Sequence, residues 1–484
     1  MNPEAKRRRQ SLKVVISEAI MVLAVAITVI ILGFLVSGYW INSDLKVERQ
    51  GMLQISSNPT GANVVIDNES SWLQRTNTSK VLTAGEHTIT LTKEGYDSWS
   101  KTINISEGLL YRLHYPRLFL AERTPEKYLA IDAVTYATVS PDRDYLLLLN
   151  NTTKWSLVRL TEEKPDPRVV DISGIFSNSA TSPELPFNSI IIDADWSRDG
   201  SHLLLKTQNG DTLEWVLLDV KTPSKSINLT REFSGNFSEI QIVDNSANNL
   251  LAVKNGNLHR IDTSAKSMSA VLVEKIHSFD HFDNEVVFTA TTPTTASTEA
   301  TVAPEQESTD TDVVTTPYFA GSVKLGDDKI TELLPLSSPA KIVISRFYDE
   351  KYLTLLDGKE LRIYQKSDLS PFDEYTLEFE PQNITVGHDG DFVLLTSGSS
   401  LATLDMEAKN LTNWSLPSES YGWLDDYMLY SISSDELAVF DYDGLNRRVL
   451  AKTASASFPV AITDNKWLYY FNGNQLVREW LVEH

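Results

Sequence analysis

No cysteine occurs in the 484 residues, so disulfides, lipid-modified cysteine, thiol nucleophiles and cysteine-held zinc are all excluded. Cationic clusters are nearly as scarce. Beyond Lys13 there are only pairs such as Arg447-Arg448, while the chain carries a formal net charge of −22. A surface of that sign repels a phosphate backbone, so nucleic acid is not a partner. Catalytic signatures are missing too: there is no G-x-S-x-G elbow, no H-E-x-x-H and no glycine-rich phosphate loop, and the eight histidines are scattered. No catalytic, cofactor-binding or metal-ligating residue is assigned, and no cofactor is expected. From residue 117 onward no segment sustains a helical period.

Charge is also absent from the 23 residues Ala19 to Ile41, which follow Lys6, Arg7, Arg8, Arg9 and Lys13. At about 1.5 Å per residue such a run makes a helix of roughly 34 Å, enough for a hydrocarbon core of about 30 Å. The basic tail stays on the cytoplasmic side and the remainder goes outside. The run ends Gly38-Tyr39-Trp40-Ile41, without the small residues of a cleavage site, which favours an uncleaved anchor over a signal peptide. We therefore expect a cytoplasmic tail over 1–13, a single transmembrane helix over 14–41 with membrane lipid as its partner, and an ectodomain beyond.

Between Gly51 and about Tyr115, strands alternate with turns. The alternating segments are Met52 to Ser56, Asn63 to Asp67, His87 to Thr92 and Lys101 to Ile105. The turns hold Pro59-Thr60-Gly61, Ala84-Gly85 and Glu94-Gly95. This predicts a small antiparallel, sandwich-like β module. The segments Asn58-Pro59-Thr60-Gly61-Ala62-Asn63-Val64, Gly85-Glu86-His87 and Lys93-Glu94-Gly95-Tyr96 resemble the signature of PEGA domains. Thr60 stands for the glutamate of that name, and Thr76-Asn77-Thr78 for the usual Thr-Pro turn. The resemblance covers 50–116 and implies a non-catalytic spacer or binding module. Pro59, Gly61, Ala62, Gly85, Gly95 and Tyr96 are its structural residues: Pro59 presets a turn, the glycines permit it, and Tyr96 covers the small core.

Over residues 117–484 a unit of about 45 residues recurs. Val134 to Leu148 and Ile191 to Leu205 share one pattern: a strand, a tight polar turn and a second apolar strand, followed by a third at Lys154 to Leu160 and at Thr212 to Val220. Four strands make one blade, and the span divided by the period predicts a β-propeller of about eight blades, with seven as the alternative. The last unit is one strand short, and Leu118 to Ala121 is expected to supply it. The turn Ser140-Pro141-Asp142 and its echoes at Ser197-Arg198-Asp199-Gly200 and His388-Asp389-Gly390-Asp391 resemble the turns of PD40, WD40-like, repeats in TolB-like propellers. Residues 289–317 hold 11 threonines in 29 residues and no lysine or arginine, which predicts a disordered insertion between two strands of one blade.

Two local clusters invite chemistry. His277-Ser278-Phe279-Asp280-His281 has metal-ligand types, but strand alternation sets Asp280 opposite the histidines. Asp441-Tyr442-Asp443-Gly444 opens like a calcium loop, yet Lys452 stands where its glutamate belongs, so a hairpin turn is expected. Anchor, spacer and acidic propeller in series predict an extracytoplasmic binding or scaffold protein facing an envelope protein or glycan. The alternative is a propeller hydrolase or lyase using dispersed channel carboxylates.

Overall fold

The computed structural model describes residues 21–29, 39–41, 47–131, 134–150, 152–176, 189–243, 245, 247–292, 317–327, 329–387, 390–416, 420–434, 436–452, 454–455 and 458–482. The chain divides into two compact units, residues 1–122 with 482–484, and residues 123–481.

Residues 21–29 are helical. Among the described residues no helix is long and apolar enough to cross a membrane; most of the expected anchor, 14–20 and 30–38, lies outside them. One boundary is corrected. Tyr39–Ile41 is a strand paired antiparallel with Val47–Arg49, so the uncharged run open to a helix ends by residue 38.

The first unit holds two four-stranded sheets. One joins Tyr39–Ile41, Val47–Ile55, Thr78–Thr83 and Leu110–Leu113; the other runs Glu69–Arg75, Asn63–Ile66, Gly85–Thr92, Trp99–Ile105. Pairing is antiparallel except that Met52–Ile55 runs parallel to Leu110–Leu113, which corrects the purely antiparallel expectation. Period-two alternation explains the core: Trp99, Ile103 and Ile105 from one strand and Ile89 and Leu91 from its neighbour are buried. The same alternation turns Lys101 inward, where its Nζ lies 4.9 Å from the centre of the Tyr115 ring.

The second unit is a ring of eight four-stranded sheets. Seven blades are built from consecutive strands: residues 134–171, 190–228, 237–268, 276–336, 341–376, 383–415 and 420–451. The eighth joins Ala461–Thr463, Trp467–Asn472 and Gln475–Trp480 to a strand from the start of the unit, Glu126–Ala130. Eight blades are therefore present, not seven. The two middle strands of each blade are packed on both faces and read as continuous apolar runs: Leu147 and Leu149 pack with Trp155 on one face and Leu146 and Leu148 with Val158 on the other, and in the next blade Leu203 and Leu205 pack with Val216 and Leu218 while Leu204 packs with Leu217.

The ring closes as expected in kind, with a different strand. Leu118 and Phe119 are buried in the first unit, where Leu118 N–H donates to Asn58 O at 2.8 Å and Asp97 N–H to Phe119 O at 2.9 Å. Glu126–Ala130 closes the ring instead. Glu126 and Lys127 face solvent, as an outermost strand allows, and Tyr128 turns inward. The Tyr128 hydroxyl lies 3.0 Å from Glu162 O and 3.1 Å from Arg159 O and donates its one proton between them, its ring meets Tyr469 edge-on at 5.2 Å, and the Arg478 guanidinium lies 4.7 Å from its centre while pairing with Glu126.

The threonine-rich insertion is shorter than 289–317. Thr289–Thr291 belong to the strand Glu285–Thr291, paired with Tyr318–Lys324, and the buried Thr289 hydroxyl donates to Ala340 O at 2.7 Å. Residues 293–316 lie outside the described residues.

Candidate binding site

Blades of a propeller surround a central channel, lined by the first strand of each sheet. In blades 1 to 4 that strand carries the same irregularity. Pairing with the second strand shifts between Val134 and Tyr136, Ile191 and Asp193, Phe237 and Glu239, and Ile276 and Ser278. Each shift is a β-bulge, which re-aims the residues after it. The re-aimed positions hold Tyr136, Asp193, Glu239 and Ser278, and two residues further on lie Thr138, Asp195, Gln241 and Asp280.

Thr138, Gln241, Ser278 and Asp280 reach the next blade. The Trp196 Nε1–H donates to Thr138 Oγ1 at 3.0 Å, Ile342 N–H to Ser278 Oγ at 3.1 Å and Ile344 N–H to Asp280 Oδ2 at 2.9 Å. Gln241 donates to Glu239 at 2.7 Å, and its Oε1 lies 3.4 Å from His281 Nδ1. Acids from three successive blades thus share one stretch of channel wall. The wall that rings Asp195, and then the Asp193 carboxylate, push it up to about 6, although the side chain still reaches channel water. Burial, and to a lesser degree Glu239, push Asp280 up to about 6 against the backbone N–H groups that hold it ionised. Burial and Asp193 also raise Glu239 and Tyr136, and burial lowers His281.

Two cavities open here and share His281 and Phe282. One, of about 730 Å³, is lined by Asp195, Trp196, Arg198, Asn245, Arg260, Asp283 and Asn284 among others. The other, of about 520 Å³, lies among Gln241, Asp280, Lys341, Arg346, Thr385, Gly387 and Gly390. Both volumes suit a small ligand or the end of a chain. Gly390 is required there: its φ is +77°, and a Cβ would stand 1.9 Å from Arg346 O.

The turns leaving the first strands emerge at one mouth of the ring, because those strands all run the same way. They bring Asp142, Asp199, Asp283, Asp349, Asp391, Asp425 and Asp464 to that mouth. Neighbouring turns feel each other: burial, then Asp142, and more weakly Asp464 raise Asp144. The turns repeat one hydrogen-bond pattern, with Asp142 Oδ1 accepting from Ser140 Oγ and Asp144 N–H, and Asp199 Oδ1 accepting from Ser197 Oγ and Ser201 N–H.

One turn mimics a catalytic triad. Ser201 Oγ lies 2.8 Å from His202 Nδ1, and His202 Nε2 lies 3.9 Å from Asp219. The single hydroxyl proton of Ser201 goes to Asp199 at 2.6 Å, so His202 donates to Ser201 instead of accepting from it. That arrangement holds a turn and activates no nucleophile.

The two clusters singled out in the sequence are dispersed. The bulge after Ile276 breaks the alternation, so His277 reaches Thr291 Oγ1 at 2.9 Å and the Tyr318 ring at 5.2 Å, while His281 faces Gln241. Among the described residues no group of three or more histidine, aspartate or glutamate side chains could hold a metal ion. Asp441 to Gly444 is a turn, closed by Gly444 N–H to Asp441 O and Asp441 N–H to Leu445 O, both at 2.9 Å. The tryptophans anchor blades: Trp155 is fully buried, and Trp215 Nε1–H donates to Phe237 O at 3.0 Å.

The six motif residues of the first unit serve its fold. Gly61, Gly85 and Gly95 have φ of +79°, +132° and +78°. Ala62 is buried; its N–H donates to Thr76 Oγ1 at 3.1 Å and its carbonyl accepts from Thr76 N–H at 2.8 Å. Ser57 Oγ donates to Pro59 O at 2.7 Å and lies 2.8 Å from Thr76 Oγ1, whose hydroxyl donates to it, so Thr76 ties the motif down where a Thr-Pro turn is usual. Tyr96 N–H donates to Lys93 O, and Lys93 Nζ lies 5.5 Å from the Tyr96 ring centre and donates to Thr60 O.

The PEGA domain family profile matches residues 50–116. A search of curated proteins gives no match. Among solved structures the chain is similar to Kluyveromyces lactis Hsv2, at 9% identity over 64% of this chain and 93% of that one with a TM-score of 0.39. It is similar also to the dihydro-heme d1 dehydrogenase NirN in complex with DHE, at 11% identity over 66% and 67% with a TM-score of 0.40. The chain carries a PEGA domain at residues 50–116 and an eight-bladed β-propeller after it.

Proposed function

We propose that this is a membrane-held binding and scaffold protein that presents its propeller outside the cell to a polar envelope partner, protein or glycan. The reading is carried by the pair of cavities that meet at His281 and Phe282, walled by carboxylates, amides and guanidinium groups from several blades. Hydrogen-bonding groups of both signs around an open channel suit polar recognition. The uncharged run before residue 39, preceded by a basic tail, supports an anchor with the tail inside. The test holds the full chain in nanodiscs and titrates purified envelope glycan and envelope protein fractions against it. Replacing Asp195 by Asn together with Arg260 by Ala is expected to weaken binding at least tenfold, about 1.4 kcal/mol. Unchanged binding by the double variant would defeat the channel as the site.

A hydrolase or lyase acting on glycan or peptide is the second reading, favoured by one observation: Asp195, raised to about 6, stands beside Asp193 and could donate a proton near neutral pH. It predicts turnover of an envelope glycan or peptide that Asp195→Asn abolishes.

A further inference from the structure

The face of the first sheet in the PEGA domain is apolar in a row that crosses it. Met52 pairs with Val81 on one side and with Leu110 on the other. All three are exposed, at 44%, 51% and 37%, and the adjoining Leu109 is exposed at 64%. Elsewhere among the described residues of 50–116 the large apolar side chains are mostly turned inward, so a row of four neighbours calls for an occupant.

The chain itself indicates which. The strand that carries Met52 begins at Val47, and its first three residues pair with Tyr39–Ile41, the last residues of the uncharged run. The run therefore passes into this very sheet, and only five residues, 42–46, separate the two strands. Met52 lies three residues beyond Arg49, the partner of Tyr39, which is about 10 Å at about 3.3 Å per residue. A bilayer adds a headgroup layer of roughly 5 to 8 Å to each side of its hydrocarbon core. If the run spans the bilayer, the apolar row starts within reach of that layer.

We infer that the row Val81, Met52, Leu110 and Leu109 docks into the outer headgroup layer of the membrane that holds the anchor. The PEGA domain then lies against the bilayer by its first sheet. This rests on the anchor reading, with lipid as the occupant; a second copy of the chain would be the competing one.

Because the chain has no cysteine, one introduced thiol labels one site. Met52→Cys, Val81→Cys and, as a control on the exposed face of the other sheet, Thr102→Cys are each labelled with an environment-sensitive fluorophore in the full chain and reconstituted into liposomes. Flotation with the liposomes reads the anchor. Nitroxide-bearing lipids read the docking. The inference predicts blue-shifted emission at positions 52 and 81, quenched by shallow nitroxides at every protein-to-lipid ratio, and water-like, unquenched emission at 102. Water-like emission at 52 and 81 in chains that float overturns the docking alone. A blue shift that escapes the nitroxides and fades on dilution into lipid assigns the row to a second copy and overturns it too. Chains that do not float overturn the anchor and the docking together.

Discussion

The PEGA domain and the propeller solve the same problem, burying β-sheet, with different electrostatics. Residues 50–116 carry six acidic and five basic side chains, whereas residues 123–481 carry 53 and 30. In the small domain the polar residues tie the chain to itself: Thr76 fastens Ala62, and Asp67 accepts from His87 at 2.6 Å. In the propeller some of the surplus acids are set in turns around one mouth and others along the channel, where Asp193, Asp195, Glu239 and Asp280 stand near one another. The comparison teaches that one unit is built to be neutral and self-contained and the other to project a field. Such a surface draws cationic groups and stays soluble, and neither property depends on the fold.

The contrast can be broken first at the ring. Deleting Glu126–Ala130 removes the fourth strand of the last blade along with Tyr128 and the Glu126 to Arg478 pair. The propeller is expected to lose its cooperative thermal transition while that of the PEGA domain survives, as calorimetry would register. Trp99→Ala should do the converse. It empties the core of the small domain, where Trp99 is 1% exposed and meets Tyr115 at 6.2 Å, at a cost of about 3 to 5 kcal/mol, and leaves the propeller transition in place. A smaller effect is expected from Thr76→Val, which keeps the shape and strands the Ala62 N–H, at about 1 to 3 kcal/mol by chemical denaturation.

The smallest effect sharpens the electrostatic side. Asp195 has a folded-state pKa of about 6 against an ordinary 3.8, so ionising it costs the folded state more than the unfolded chain. That penalty is full above pH 6 and is relieved as the pH falls through 6 toward 4. Asp195→Asn should therefore raise the melting temperature of the propeller at pH 7 to 8 and leave it unchanged near pH 4. An equal shift at both pH values would separate Asp195 from the channel field.

Much of this was legible. The blade unit reads because the middle strands are apolar on both faces and the turns need aspartate or glycine; the PEGA motif reads because its glycines hold positive φ. The closing strand did not, since Leu118 and Phe119 carry the apolar signal of a strand and are core of the first unit, whereas Glu126 and Lys127 carry none and belong to an outermost strand wet on one side. Leu110–Leu113 was missed as a short parallel partner, and Tyr39–Ile41 was hidden at the end of an apolar run. The channel site escaped for a different reason. Bulges leave no local mark, so Asp193, Asp195, Glu239 and Asp280 come together only in the closed ring, although acids inside the apolar stretch Ile190–Trp196 were a visible hint.

Hydrogen exchange of the full chain in nanodiscs, with and without added envelope glycan and protein fractions, tests the central claim most directly. Slowed exchange in the first strands Ile190–Trp196, Phe237–Ile242 and Ile276–Phe282 is the predicted result. Protection confined to the outermost strands, with those three unchanged, would contradict it.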